Sequence, residues 1–306
     1  MRPRRGFALL AALGLLVLLS VVGFEFSLRA RARRLVAANV LEGDRARAAA
    51  DAGIARTHAR LVGLLARSNI VDPWADYVIL PTDTVTLRDT RYAVALHDPA
   101  AKLHLNYASE AELRRLFGAL RIDFGRADRL AQAICDWRDA DDLRRARGAE
   151  REDYVRDGAV VTPSNTLFQR VEELRHLMGM TPALYRLVSD HLTVHGTGQV
   201  NLNTADRPVL LSLPGMTEQT VAVVLRRRAS GRPVRSLEDL ASDLPPGPRE
   251  TFQAEIASLL PRATFETREL VAASDGWVDG SPVRARATAL FARGGRNVFL
   301  VWRSTR

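Results

Sequence analysis

The chain has 306 residues, room for one large or two modest domains around a proper core. Its formal charge of +9 suits a polyanionic partner, yet Lys102 is the only lysine and the arginines are scattered among acids instead of forming one block. A single cysteine, Cys135, excludes an intrachain disulfide and reads as a small hydrophobe on the apolar face of RLAQAICDW.

From Phe7 to Phe24 there is no charge and almost no polarity. Such a stretch rises roughly 27 Å as a helix, about enough to cross the hydrocarbon core of a bilayer. A secretory signal would have a shorter apolar region followed by a small-x-small site. Here the pattern runs on, which predicts a retained membrane anchor. Arg2, Arg4 and Arg5 precede the span and Arg29, Arg31, Arg33 and Arg34 follow it, so the arginine count leaves topology open. Beyond the span no proline occurs before Pro73, and Leu35, Ala38, Leu41, Ala49, Ala52, Leu61 and Leu65 recur near helical spacing. One helix is therefore predicted from Phe7 to Ala66, lipid-embedded and then amphipathic, with Gly43 and Gly53 loosening it without a break. The junction Arg4-Arg5-Gly6-Phe7 resembles the sites that type IV prepilin peptidases cut after the glycine before methylating the new N-terminal Phe.

Residues 74–106 alternate β-branched and aromatic residues, broken by Pro81 and Asp98-Pro99, which predicts two or three short strands. An internal repeat follows. KLHLNYASEAELRRLFG (102–118) aligns without a gap to QVNLNTADRPVLLSLPG (199–215), pairing Leu105-Asn106 with Leu202-Asn203 and Ala108 with Ala205. A weaker echo, Gly179-Met180-Thr181, mirrors Gly215-Met216-Thr217. Residues 104–262 thus read as a helical domain of helix-turn-helix units. A helix-hairpin-helix that binds DNA offers phosphate its backbone N–H groups in a Gly-hydrophobic-Gly turn. Here Thr217 replaces the second glycine and suits an N-cap, while Arg226, Arg227 and Arg228 stand at the far end of that helix, suiting its C-terminal dipole. Structural use of the hairpins and DNA binding both stay open, with the contact residues favouring the former.

Between the copies, Asp136, Asp139, Asp141, Asp142, Glu150, Glu152 and Asp153 crowd one segment. Either Arg138, Arg144, Arg145, Arg147 and Arg151 neutralise them, or a hard cation such as calcium, which takes six to eight oxygens, does so. The spacing is not that of an EF-hand. His191 and His195 have i, i+4 spacing but no third ligand nearby. No Gly-x-Ser-x-Gly, His-Glu-x-x-His or phosphate loop occurs, so the sequence does not read as an enzyme. From Phe265 onward three strands are predicted, with Gly276 and Gly280 marking the first turn and Gly294-Gly295 a tight hairpin.

Taken together, RRGFALLAALGLL, KLHLNYASEAEL, DWRDADD…GAEREDY…TPSN…VEELRHLMGM and VNLNTADRPVLLSLPGM resemble, in order, the type II secretion system protein K family of minor pseudopilins. The resemblance implies an α+β fold. It comprises a leader (1–6), a transmembrane and amphipathic pilin helix (7–66), a first part of a pilin-like antiparallel sheet (67–103), an inserted all-α domain (104–262) and C-terminal strands (263–306). It implies cleavage and methylation at Gly6 and Phe7, an inner-membrane location with the N-terminus cytoplasmic and the globular part periplasmic, and calcium held among Asp136, Asp139, Asp141, Asp142, Glu150 and Asp153. The implied partners are other minor pseudopilins, the major pseudopilin, the inner-membrane assembly platform and prepilin peptidase, with no nucleic acid. The implied function is initiating or capping the pseudopilus that exports folded proteins. Ala11 stands where most pseudopilins carry a glutamate paired with the next subunit's amine, which fits a subunit with no neighbour above it. The alternative from another class is a membrane-anchored, competence-type DNA-binding protein.

Overall fold

The alanine-, leucine- and arginine-rich stretch from Arg4 to Arg67, free of proline, folds as one helix, α1 (Arg4–Arg67), roughly 96 Å long. The computed structural model describes residues 4–67, 72, 74 and 84–306, and within the first turns of α1 it describes side chains at Leu9 and from Ala12 onward. The leader residues 1–3, the strand character read at 75–83 and the side chains of Gly6, Phe7 and Ala11 lie outside the described residues. Among the described residues α1 is the one helix long and apolar enough to cross a membrane, and its most apolar window is wholly exposed.

Burial on α1 begins at Ala46. Ala46, Ala49, Ala50, Gly53, Ile54, Thr57 and Leu61 form a stripe of helical spacing against a sheet. Leu35 and Leu41, which share that spacing, remain exposed: periodicity marks a face but not what covers it.

The sheet contains β1 (Thr84–Leu87), β2 (Thr90–His97), β7 (Glu269–Val278), β8 (Arg284–Gly294) and β9 (Asn297–Thr305), in that order and antiparallel throughout. Strand β7 alternates strictly, with Leu270, Ala272, Ser274, Gly276 and Val278 buried. Gly276 is therefore inside a strand and not at the turn, which Gly280 makes with φ of +78°. A Cβ on Gly276 would collide with the backbone of Ala46 and Ala50, and one on Gly53 with the Ser274 hydroxyl. These two glycines let helix and sheet approach closely, with Phe291, Trp74 and Leu61 filling the space beside them.

The helical domain is inserted between β2 and β7. His97 and Val271 are ladder partners, so the chain leaves and re-enters the sheet at adjacent points. Buried Asp98 closes this neck. Its Oδ2 accepts from Asn201 Nδ2 (3.0 Å), Thr204 Oγ1 (2.6 Å) and Thr267 Oγ1 (3.3 Å), and its Oδ1 from the N–H of Ala100 (2.8 Å).

Within the insertion, in chain order, lie β3 (Leu103–His104), α2 (Glu110–Ala119), α3 (Phe124–Arg138), α4 (Arg151–Arg156), α5 (Pro182–Ser189), β4 (Leu192–Thr193), β5 (Val200–Asn201), α6 (Arg207–Ser212), α7 (Glu218–Ala229), α8 (Leu237–Ser242), α9 (Pro246–Ala254), α10 (Ile256–Leu259) and β6 (Ala263–Thr264). The sequence repeat is a repeat of bonds. β3 pairs in parallel with β4, and β5 with β6. The N–H of Asn106 donates to His104 Nδ1 (3.2 Å) and that of Asn203 to Asn201 Oδ1 (2.9 Å). The following helices start at capping residues Ser109 and Asp206. Leu113, Leu116, Leu210 and Leu213 point into one shared core.

Candidate metal centre

The acidic segment leaves α3 at its C-terminal end, where the helix dipole disfavours carboxylates. Neutralisation of Asp136 and Asp139 comes from Arg145, which folds back so that its Nη1 lies 2.6 Å from Asp136 Oδ1 and 2.5 Å from Asp139 Oδ2. Asp136 is fully buried, its Oδ2 also accepts from the N–H of Arg145 (3.3 Å), and Gly148 packs on it so closely that any Cβ there would overlap the carboxylate. Burial raises the pKa of Asp136 and the Arg145 contacts oppose that shift. Asp153 accepts from Arg144 and Arg156 (both 3.2 Å) and from the N–H of Glu150 (3.1 Å). Asp142 accepts from the Asn165 amide (2.9 Å).

What these contacts leave over is informative. One oxygen each from Asp139, Asp141 and Glu150 can be chosen within 4.8 Å of one another. Glu150 is only 4% exposed, yet neither of its oxygens has a hydrogen-bond donor, and Asp139 Oδ1 and Asn165 Oδ1 are likewise buried and unpartnered. Burial, then the charges of Asp136, Asp139, Asp142 and Asp141, push Glu150 up to about 7. Beneath the segment Trp137 stacks on Phe168 at 5.9 Å and meets Tyr154 edge-on at 5.8 Å, a dry floor that limits screening.

The six acids therefore divide. Asp136, Asp142 and Asp153 are engaged by Arg145, Asn165, Arg144 and Arg156. Asp139, Asp141 and Glu150 converge: Asp139 gives one oxygen to Arg145 and keeps Oδ1 free, Asp141 is exposed with Oδ1 accepting from the N–H of Leu143 (2.8 Å), and both Glu150 oxygens are buried without a donor. Buried oxygens without a donor beside an exposed carboxylate are a donor set that suits a hard cation, and carbonyls and water complete such a shell. Asn165, which the acidic pattern does not single out, ties the segment through its amide to the Asp141 carbonyl (3.1 Å) and to Asp142, and its φ of +49° is a left-handed conformation that asparagine tolerates.

The hairpins offer no comparable site for phosphate. Thr217 caps α7, its hydroxyl accepting from the N–H of Thr220 (3.2 Å). Gly215, at φ +68°, is covered: an added Cβ would lie 2.9 Å from Glu255 Cβ and 3.5 Å from the Phe252 backbone. In the first copy the anion position at the start of α3 is held by Asp123, which accepts from the N–H of Arg126 (3.1 Å). Arg226 is exposed, whereas Arg227 and Arg228 turn inward. Arg227 bonds Asp239 (2.6 Å) and Asp243 (3.2 Å), and Arg228 bonds the carbonyls of Leu202 (2.9 Å) and Ala205 (2.5 Å). They are tertiary ties and not only dipole partners. Arg138 plays the part of Arg228 in the first copy, on the carbonyls of Leu105 and Ala108. His191 faces Asp206 at 2.7 Å and His195 packs on Trp302, so the two histidines do not share a ligand. Cys135 is buried, and burial pushes its thiol up.

Comparison with known proteins adds to this geometry. Residues 94–197 match the family model for the first domain of protein K of the type II secretion system. Type II secretion system protein K of Pectobacterium carotovorum is 31% identical over 156 residues, covering 47% of this chain and 46% of that protein. The Dickeya chrysanthemi protein is 35% identical over 100 residues, 32% of this chain and 27% of its own. For Pseudomonas aeruginosa the figures are 29% over 143 residues, 42% and 43%. The aligned region spans less than half the length of these curated relatives. A chain of the crystal structure of the GspK-GspI-GspJ complex from enterotoxigenic Escherichia coli superposes with a TM-score of 0.67 at 19% identity, covering 91% of this chain and 99% of that one. The likeness to protein K read from the motifs is thus shown, and the fold it implied, a long helix on an antiparallel sheet with an inserted helical domain, is the fold observed.

Proposed function

We propose, on the premise that residues 94–197 carry the first domain of type II secretion system protein K, that the chain is a minor pseudopilin acting at the tip of a pseudopilus. The observation that carries this reading is one continuous helix with two environments. Its described apolar residues from Ala12 to Phe26 are exposed and its last third is welded to the sheet that bears the inserted domain. Such a helix transmits position rigidly from bilayer to globular head. The exposed Leu35, Val36, Val40 and Leu41 between those environments fit packing against helices of other minor pseudopilins. The bulky insertion would cap growth, and the work is assembly and not catalysis.

The same reading includes calcium at the acidic segment. Asp139, Asp141 and Glu150 would hold the ion, which supplies charge neutralisation that Arg145 alone does not provide. Held, the segment between α3 and α4 becomes a rigid feature of the head. Prepilin peptidase would cut between Gly6 and Phe7, leaving Ala11 near the new terminus and the head on the periplasmic side.

Mass spectrometry of the N-terminal peptide from envelope-extracted protein tests the proposal. The expected species starts at N-methylated Phe7. A chain starting at Met1 or Arg2 in a host with active peptidase would reduce the segment to an ordinary anchor.

A further inference from the structure

The arginines that follow the apolar span have no role in the fold. Arg29 pairs with Glu25 at 3.1 Å on the exposed helix surface. Arg31, Arg33 and Arg34 are exposed and have no acidic partner among the described residues. No Asp or Glu lies between Glu25 and Glu42, and the first contacts of α1 with the globular part are at Glu42, with Ser281, and Gly43, beside Val283. Three cations thus stand together on bare helix.

Their spacing says what they face. At about 100° per residue, Arg29, Arg31, Arg33 and Arg34 spread over roughly 200° of the helix circumference. A single protein partner would draw a stripe; this is a collar. At about 1.5 Å per residue, Arg29 stands roughly 7 Å beyond Phe24 and Arg34 roughly 15 Å beyond it. The headgroup layer occupies roughly 5–7 Å outside the hydrocarbon, and arginine side chains reach back toward it along their apolar stems. With Phe24, Phe26 and Leu28 exposed just inside the collar, the helix presents apolar rings and then guanidinium groups at the depth of the phosphates.

We infer that Arg29, Arg31, Arg33 and Arg34 form a phospholipid-headgroup collar, selective for anionic lipid, that fixes the depth of α1 in the bilayer. It rests on α1 crossing a membrane and not on the pseudopilin role, since any head carried on this helix would be held the same way. Guanidinium groups bind phosphate oxygens bidentately, and the cost of drawing several charges into hydrocarbon resists sliding of the helix in one direction.

The test uses the full chain in detergent, offered equimolar phosphatidylglycerol and phosphatidylethanolamine, with retained lipids counted by native mass spectrometry. The wild type should retain phosphatidylglycerol preferentially. R31Q/R33Q/R34Q should lose about a hundredfold in that affinity, on the order of fivefold per arginine, while its head melts unchanged. R31K/R33K/R34K should keep the preference, which separates lost charge from lost fold. Equal retention by wild type and the Gln variant overturns the collar, and so does competition by inorganic phosphate, which would mark a free-anion site. Release of the wild type from native membranes by alkaline carbonate removes the bilayer premise and overturns it too.

Discussion

Asn203 holds Val234 with both ends of its amide: Nδ2 donates to the Val234 carbonyl and Oδ1 accepts from its N–H, each at 2.8 Å. Asn106, its counterpart in the first repeat, does the same to Phe168 at 2.9 Å in both directions. A side chain thus stands in for a strand neighbour, satisfying backbone groups that have left regular structure. This explains why Leu-Asn is the firmest part of the repeat: leucine fills the core and asparagine closes the loop from the next segment over it.

Asn203→Asp should therefore destabilise the helical domain by about 2–4 kcal/mol, because a carboxylate cannot donate to the carbonyls of Val234 and Phe265, which Asn203 Nδ2 reaches at 2.8 and 3.0 Å. Asn106→Asp should behave alike. Denaturant unfolding of the purified chain measures both, and a loss under about 0.5 kcal/mol in either would mean that the bonds do not hold the loop.

Helix and sheet give a paired prediction at two glycines. Gly276→Ala would press a methyl group into the backbone of Ala46 and Ala50, which cannot yield as a side chain can, so a loss of about 3 kcal/mol or more is expected. Gly43 lies in the same helix and its added Cβ would meet only Val283, at 3.9 Å. Gly43→Ala should stabilise by about 0.5–1 kcal/mol through helix propensity alone. Opposite signs in thermal melts would support the close approach; similar small effects would deny it.

The contrast shows what is legible in the sequence. The long helix, the terminal strands and the repeat are readable because each follows from local periodicity or from similarity along the chain. Gly276 is misplaced at a turn because a glycine needed for close approach looks, in one dimension, like a glycine needed for φ > 0. The acidic segment presents two readings, arginine neutralisation and a cation, and sequence gives no means to see that Arg145 serves Asp136 and Asp139 while Glu150 stays bare. That division depends on how the chain folds back between α3 and α4. Arg144 and Arg145 supply partners for Asp153 and for Asp136 and Asp139.

Calcium should raise the melting temperature of the chain, and chelator should lower it. Glu150→Gln should abolish the response and, by removing a buried carboxylate without a donor, melt no lower than the chelated wild type. Differential scanning calorimetry with and without chelator decides. A melting temperature indifferent to calcium would leave arginine as the only neutraliser of the segment.

Glu150 also sets a pH dependence with a definite sign. Its carboxyl is raised from 4.5 to about 7 in the folded chain by burial and by the neighbouring carboxylates. Between those values the unfolded chain has lost the proton and the folded chain keeps it, so the folded state binds more protons and stability falls as pH rises. Without calcium, this carboxyl alone should lower stability by on the order of 2–3 kcal/mol between pH 4.5 and about 7. His104, lowered to about 4 by burial, and His97 and His195, lowered by burial, raise it over the lower part of that range, so the Glu150 contribution is the difference between the profiles of wild type and Glu150→Gln. Asp136 shifts in the same direction and adds to the slope, whereas the lowered carboxyls of Asp206, Asp239 and Asp275 act only below the ordinary carboxylate range. Glu150→Gln should remove this falling component. Saturating calcium should reverse it, because the ion favours the ionised carboxylate and acid then competes for the site. Unfolding free energies across this range, measured in chelator and in calcium, test both parts. Chelated profiles of wild type and Glu150→Gln that run parallel would show that Glu150 is ionised in the fold, with a donor or solvent reaching its oxygens.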